Sequence, residues 1–179
     1  MNRRQFMKAS IVSSVGLVGL GGGTLLLIEG ANKSELSIDF ALKKLTALSS
    51  ENLMSIGEWN PQQIFSHCAQ SIEYSMSAFP AHKSSFFKGT LGKLAFSAFS
   101  QQGRMTHNLS EPIPGSPSLS LNIDVQIGLN RLIKSLMAFD AYQGVIAPHF
   151  AYGELTKKEY ELAHLMHLYN HLQEITYKK

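Results

Sequence analysis

The chain has 179 residues, 44% of them hydrophobic, a formal net charge of +3 and a single cysteine. That hydrophobic share suits a globular protein rather than a disordered one, and the lone Cys68, set in a helical apolar pattern, excludes an internal disulfide and reads as packing. Beyond Ala31 the balance is 13 basic against 12 acidic residues, and no basic run exceeds a Lys-Lys pair, which excludes nucleic acid as the main partner because phosphate binding needs clustered Lys and Arg.

The first element is MNRRQFMKAS followed by IVSSVGLVGLGGGTLLLI, a basic stretch and then about twenty uncharged residues, which reads as a targeting segment. Its Gly and Ser content makes it less hydrophobic than a typical membrane span. With Arg3-Arg4, Phe6 two residues on and Lys8 two further, it resembles a twin-arginine signal. The resemblance implies export of a folded protein, a route often taken when a cofactor is inserted before transport, and so a periplasmic or exported location with the export machinery as a partner. An uncleaved membrane anchor is the alternative, since Gly30-Ala31 is a poor cleavage site. The expected division is a signal or anchor over 1–31 and one domain over 32–179, about 145 residues and one core.

Within that domain, ELSIDFALKKLTALS predicts an amphipathic helix over 35–49 with Leu36, Phe40, Leu42 or Lys43, and Ala47 on its apolar face. The next helix has a clear start: Asn60 as N-cap, Pro61 at the first position, Gln63 completing a capping box, and Ile64, His67, Cys68 and Ser71 on one face. A third helical stretch, SSFFKGTLGKLAFSAFS, offers Phe87, Leu91, Leu94 and Phe99 for packing around Gly89 and Gly92. GRMTHNLSEPIPGSPSLS is a loop, because Pro112, Pro114 and Pro117 remove donors, and a loop this long often lies over a site. A fourth helix runs from about Ile123 to Tyr142 with Ile127, Leu129, Leu132, Ile133, Leu136 and Phe139 as its apolar face. After GVIAPHFAYGEL, Thr156 and Glu159 form a capping box for a last helix reaching about Thr176. No segment alternates with period two, so the fold class is all-α, a four-helix bundle with an extra helical segment and a long Pro-rich loop.

Three of seven histidines, His164, His167 and His171, fall within eight residues of the last helix. His167 and His171 are spaced i, i+4 and can reach one metal ion; His164 and His167, at i, i+3, can also pair. His164 and His171 stand about 10.5 Å apart along the axis, too far for all three to share an ion. Two ligands make a weak site, so a third is needed, and His67 is the natural donor. His82, His107 and His149 sit in loops or at helix ends, where solvated or hydrogen-bonding roles are commoner. His149 reads as fixing its loop more than meeting a substrate, and Trp59 as plugging the core. Glu73 reads as a solvated carboxylate more than a group orienting a histidine, and Arg104 and His107 as surface groups more than an anion site.

The order of elements resembles the DinB/YfiT-like superfamily: WNPQQIFSHCAQSIE leads into a helix with one histidine, and HLYNHLQEI closes the last helix. The whole PHFAYGELTKKEYELAHLMHLYNHLQEI ending looks like a bacterial branch of it whose function is unknown. The resemblance implies a four-helix bundle holding a divalent metal (Zn, Ni, Fe or Mn) on one histidine from the second helix and two from the last. Carried over, these are His67, His167 and His171, with Gln173 and Ile175 supporting the register and His164 left as an extra, supporting or solvent-facing histidine. This chain has His171-Leu172-Gln173-Glu174 where the family commonly has a doubled histidine and a Gly-Gln ending.

Two functions follow. The first is an exported metal-dependent enzyme, a hydrolase or thiol-dependent transferase, acting on a small molecule the sequence does not identify. The second is a non-catalytic periplasmic bundle serving as a binding or scaffold protein. Membrane attachment through the N-terminal segment and a homodimer are compatible with either.

Overall fold

The computed structural model describes residues 35–122 and 124–177; the signal-like segment lies outside them. Helix α1 spans Ile38–Thr46. Ser37 caps it, its hydroxyl accepting from the Phe40 N–H, with Asp39 in the first turn and Lys43 and Lys44 in the last, charges that complement the helix dipole. Its buried residues are Ile38, Ala41 and Leu45. Phe40, expected on that face, is 38% exposed, because the 3.6-residue period counted from Ile38 lands one residue beyond it.

Helix α2, Pro61–Ser75, has the predicted capping box and Pro61 in its first turn. Twelve of its fifteen residues are buried, so it is the central helix. It packs chiefly on α4, Val125–Ala141, and then on α5, Lys157–Leu172. Ile64, Phe65 and Ile72 belong to one core with Leu129, Leu132, Leu136 and Phe139. A Cβ on Gly128 of α4 would come within 3.1 Å of the Gln62 carbonyl oxygen, so the glycine permits the close approach of these two helices. Ile127, expected to pack, is 60% exposed. Helices α1, α2, α4 and α5 share this core, and the fold is all-α. Among the described residues no helix is long and apolar enough to cross a membrane.

Between α2 and α4 the chain forms a turn at Ser85–Phe87, a π-helical turn at Lys88–Gly92 and helix α3, Lys93–Gln102. The π turn takes more residues per revolution than an α turn, which rotates the face beyond it. Leu91 and Leu94 are therefore 58% and 68% exposed, while Phe96 is buried with Met105, Ala163 and Met166. At Gly92 a side chain would collide with the Ala151 carbonyl, which fixes the smallest residue there.

Helix α5 begins at the predicted capping box but ends at Leu172, four residues before the expected end. The β-favouring Ile175, Thr176 and Tyr177 instead form a strand, β2, antiparallel to β1, Leu53–Ser55. This ribbon ties the C-terminal end of α5 to the chain leading into α2.

Four histidines are buried, His67, His149, His164 and His171. His149 and His164 are 7% and 4% exposed; burial, joined at His149 by the neighbouring His164 and His82, holds each at about 3. The unfolded chain takes up these protons near 6.5 and the native chain does not until about 3, so the unfolded state binds more protons between those values. Stability present above pH 6.5 is thus lost as pH falls toward 3, by up to about 1.4 kcal/mol per pH unit for each histidine. Urea midpoints of the metal-free chain are expected to fall steadily from pH 7 to pH 4.5 and to level off between pH 7 and pH 8.

Candidate metal centre

Because α2 is central, His67 on its second turn is 3% exposed. Helix α5 presents His167 and His171 one turn apart, facing α2. The His67 and His167 Nε2 atoms are 3.1 Å apart, and so are those of His171 and His167. The Pro-rich loop adds a fourth imidazole, His107, and nitrogens of all four rings lie within 4.8 Å of one another. His107 Nδ1 lies 3.0 Å from the Asn170 side-chain amide, and Nε2 can serve as a ligand in the tautomer with the proton on Nδ1, the Asn170 amide oxygen then being turned to accept it. The structure thus brings together the three predicted residues and corrects the surface role expected of His107. A lone histidine in a loop carries no periodicity, so only the length of that loop pointed to it.

His164 does not join the cluster. It is buried, with Nε2 3.1 Å from the Ser75 hydroxyl and its ring edge-on to Phe139 at 5.0 Å. His149 fixes its loop as expected: Nδ1 accepts from the Ala151 and Tyr152 N–H groups, and its backbone pairs with Gly153, a glycine at φ +79°. Glu73 is bound by Arg131 and by the Ser135 hydroxyl, and orients no histidine. Arg104 forms no ion pair among the described residues. Cys68 is buried in the core, where burial pushes its thiol well above the usual range. Trp59 both packs on the core and backs the cluster, edge-on to His67 at 4.9 Å and stacked on His171 at 6.0 Å.

The electrostatics suit a cation. Burial, and then the neighbouring imidazoles, lower His67 to about 3, His171 to about 2 and His167 well below its ordinary value; burial alone lowers His107 to about 4. All four rings are therefore uncharged at neutral pH, the state in which imidazole ligates metal. His67 Nδ1, His171 Nδ1 and His107 Nε2 are buried with no hydrogen-bond partner among the described residues, a cost that a bound ion would offset at His107. Nitrogens about 2.0–2.1 Å from an ion are about 3.3–3.4 Å apart in a tetrahedron and about 2.9 Å apart at adjacent octahedral positions. The observed 3.1 Å separations lie between these, so the residues fit a first-row divalent ion. An all-nitrogen set does not suit Mg²⁺ or Ca²⁺, which take oxygen ligands.

The cluster opens on a cavity of about 380 Å³. His67, His107 and His167 line it, with Met105, Ile113 and Phe150 among the apolar residues. The Pro-rich loop does lie over the site, contributing Met105, His107 and Glu111 through Pro114 to the lining.

Residues 32–178 match the model of a family described as a protein of unknown function, DUF1569. No curated protein and no solved structure matches the chain.

Trp59 is the sole tryptophan and touches two of the four rings. Stepwise addition of Co²⁺ or Ni²⁺, which quench nearby indole emission, is expected to reduce Trp59 fluorescence and saturate at one equivalent. A linear, non-saturating loss, or none, would show that the ion does not reach the four rings.

Proposed function

We propose that this chain, which belongs to the DUF1569 family, is a divalent-metal-dependent enzyme, a hydrolase or thiol-dependent transferase acting on a small molecule. One observation carries the reading: the Nε2 atom of His167 lies 3.1 Å from those of both His67 and His171, with a fourth histidine beside them, against a cavity large enough for a small molecule. His67, His167 and His171 would hold the ion, with His107 as a further ligand from the loop. A bound divalent ion supplies Lewis acidity, polarising a substrate oxygen or lowering the pKa of a bound water or thiol.

The chain's residues do the rest. Four uncharged ligands leave the cation's charge unneutralised, and partial burial keeps that charge effective. Packing of Trp59 on His67 and His171 fixes two rings from behind. The apolar walls exclude bulk water and hold the ligand body. A cavity placed against the cluster favours catalysis over a non-catalytic binding or scaffold role. The likeness to the DinB/YfiT-like superfamily supports the same reading, since that resemblance implies one ligand on the second helix and two on the last.

The location proposed is the periplasm, reached through the twin-arginine route and with or without retention of the segment as a membrane anchor. The motif at Arg3-Arg4 supports it.

Metal analysis tests the reading. The chain purified without a histidine tag is expected to hold about one equivalent of Zn, Ni, Fe or Mn after reconstitution. His67→Ala and His171→Ala should lower that at least tenfold, while His164→Gln should retain it. Absence of metal from the reconstituted wild-type chain would sink the proposal.

A further inference from the structure

The cavity has a second pair of histidines outside the cluster, His149 from the loop before α5 and His164 from α5 itself. Both are more than nine-tenths buried. His149 Nδ1 accepts from two backbone amides, Ala151 at 3.1 Å and Tyr152 at 3.2 Å. It cannot also carry a proton, so the ring's N–H is on Nε2. The His164 tautomer follows from Ser75, whose hydroxyl donates to the Ile72 carbonyl at 2.6 Å. The Ser75 oxygen is therefore an acceptor for His164 Nε2 at 3.1 Å, and His164 Nδ1 keeps a free lone pair.

Each ring thus has one nitrogen left over, a donor on His149 and an acceptor on His164. Neither has a partner among the described residues. Both residues line the cavity, whereas His67 Nδ1 and His171 Nδ1 are buried without a partner among the described residues. Both rings are held: His149 stacks on Tyr152 at 4.3 Å and 8°, and His164 packs against Phe139 and Tyr160. Much of the remaining wall is apolar, including Phe150, Met105 and Ala163.

We propose that His149 and His164 form a recognition pair that selects an uncharged ligand head able to accept one hydrogen bond and donate another, a carboxamide or a hydroxyl. This deepens the functional reading above, and rests on it for the cavity being a substrate site. A carboxylate head would face the His164 lone pair, and an ammonium would face the His149 N–H. A hydrocarbon would leave both nitrogens without partners. The rest of the ligand is an apolar body such as a single ring, which the volume admits.

Because the pair is built without the metal, it can be tested without the metal. The full chain, chelator-treated and labelled with ¹⁵N-histidine, is titrated with benzamide, benzyl alcohol, benzoate, benzylamine and toluene. Long-range ¹H–¹⁵N spectra should show the Nε2–H tautomer at both His149 and His164. Benzamide or benzyl alcohol should shift His149 Nε2 and His164 Nδ1, binding at least tenfold more tightly than the other three. His164→Leu, with its fold checked by circular dichroism, should abolish that preference. The opposite tautomer at either residue, benzoate or benzylamine binding as well as benzamide, or no probe shifting these nitrogens would overturn the proposal. Failure of the metal reading would show in metal content alone and leave these spectra unchanged.

Discussion

Helix α2 has almost no surface, and the rest of the molecule is arranged around that fact. Its apolar residues Ile64, Phe65 and Ile72 are 0–1% exposed against Leu129, Leu132, Leu136 and Phe139. Each such side chain contributes about 1.5–3 kcal/mol relative to exposure in water. That gain offsets a costly feature: half of the buried positions of α2 are polar, namely Gln62, Ser66, His67, Gln70, Ser71 and Ser75. Some satisfy one another, as the Gln62 amide does with the Ser66 hydroxyl at 3.0 Å. Others do not, and Gln70 Oε1 and His67 Nδ1 remain without partners among the described residues.

A helix chosen only for stability would not spend its buried surface this way. Two of the polar residues of α2 face places where the fold needs them. His67 meets the pair from α5, and Ser75 orders the ring of His164 while its backbone carbonyl accepts from Ala147. The same central helix therefore supports both the four-histidine cluster and the buried ring of His164. Histidines do different work at these two places: in the cluster their nitrogens converge on one another, whereas His149 and His164 are each held by the protein through one nitrogen.

The connections complete what the helices begin. The β1–β2 ribbon brings the end of α5 beside the residues leading into α2, and the Ile56 N–H donates to the Glu174 carbonyl at 2.9 Å just beyond the strands. That short tie keeps His171 and Trp59 in register with His67. Across the site, the Pro-rich loop is pinned by buried Met105 and Ile113, and between them it delivers His107. Three prolines restrict the loop's backbone, lowering the entropy lost when it closes over the cavity.

Much of this was legible in the residues themselves, because the signals are local. Capping boxes at Asn60 and Thr156 involve atoms three residues apart, so both helix starts are encoded where they occur. The i, i+4 spacing of His167 and His171 is likewise a property of one helix, and the all-α class follows from periodicity. His67 stood out as the natural third donor on its helix face, the resemblance pointed to the same residue, and the fold places it with that pair. Only the tertiary structure decided the remainder: which side of α1 is buried, the turn of register at Lys88–Gly92 that exposes Leu91 and Leu94, the strand that ends α5 early, and His107 as the fourth ring. Each depends on what another part of the chain places opposite, and packing between distant segments leaves no period or spacing in the sequence to read.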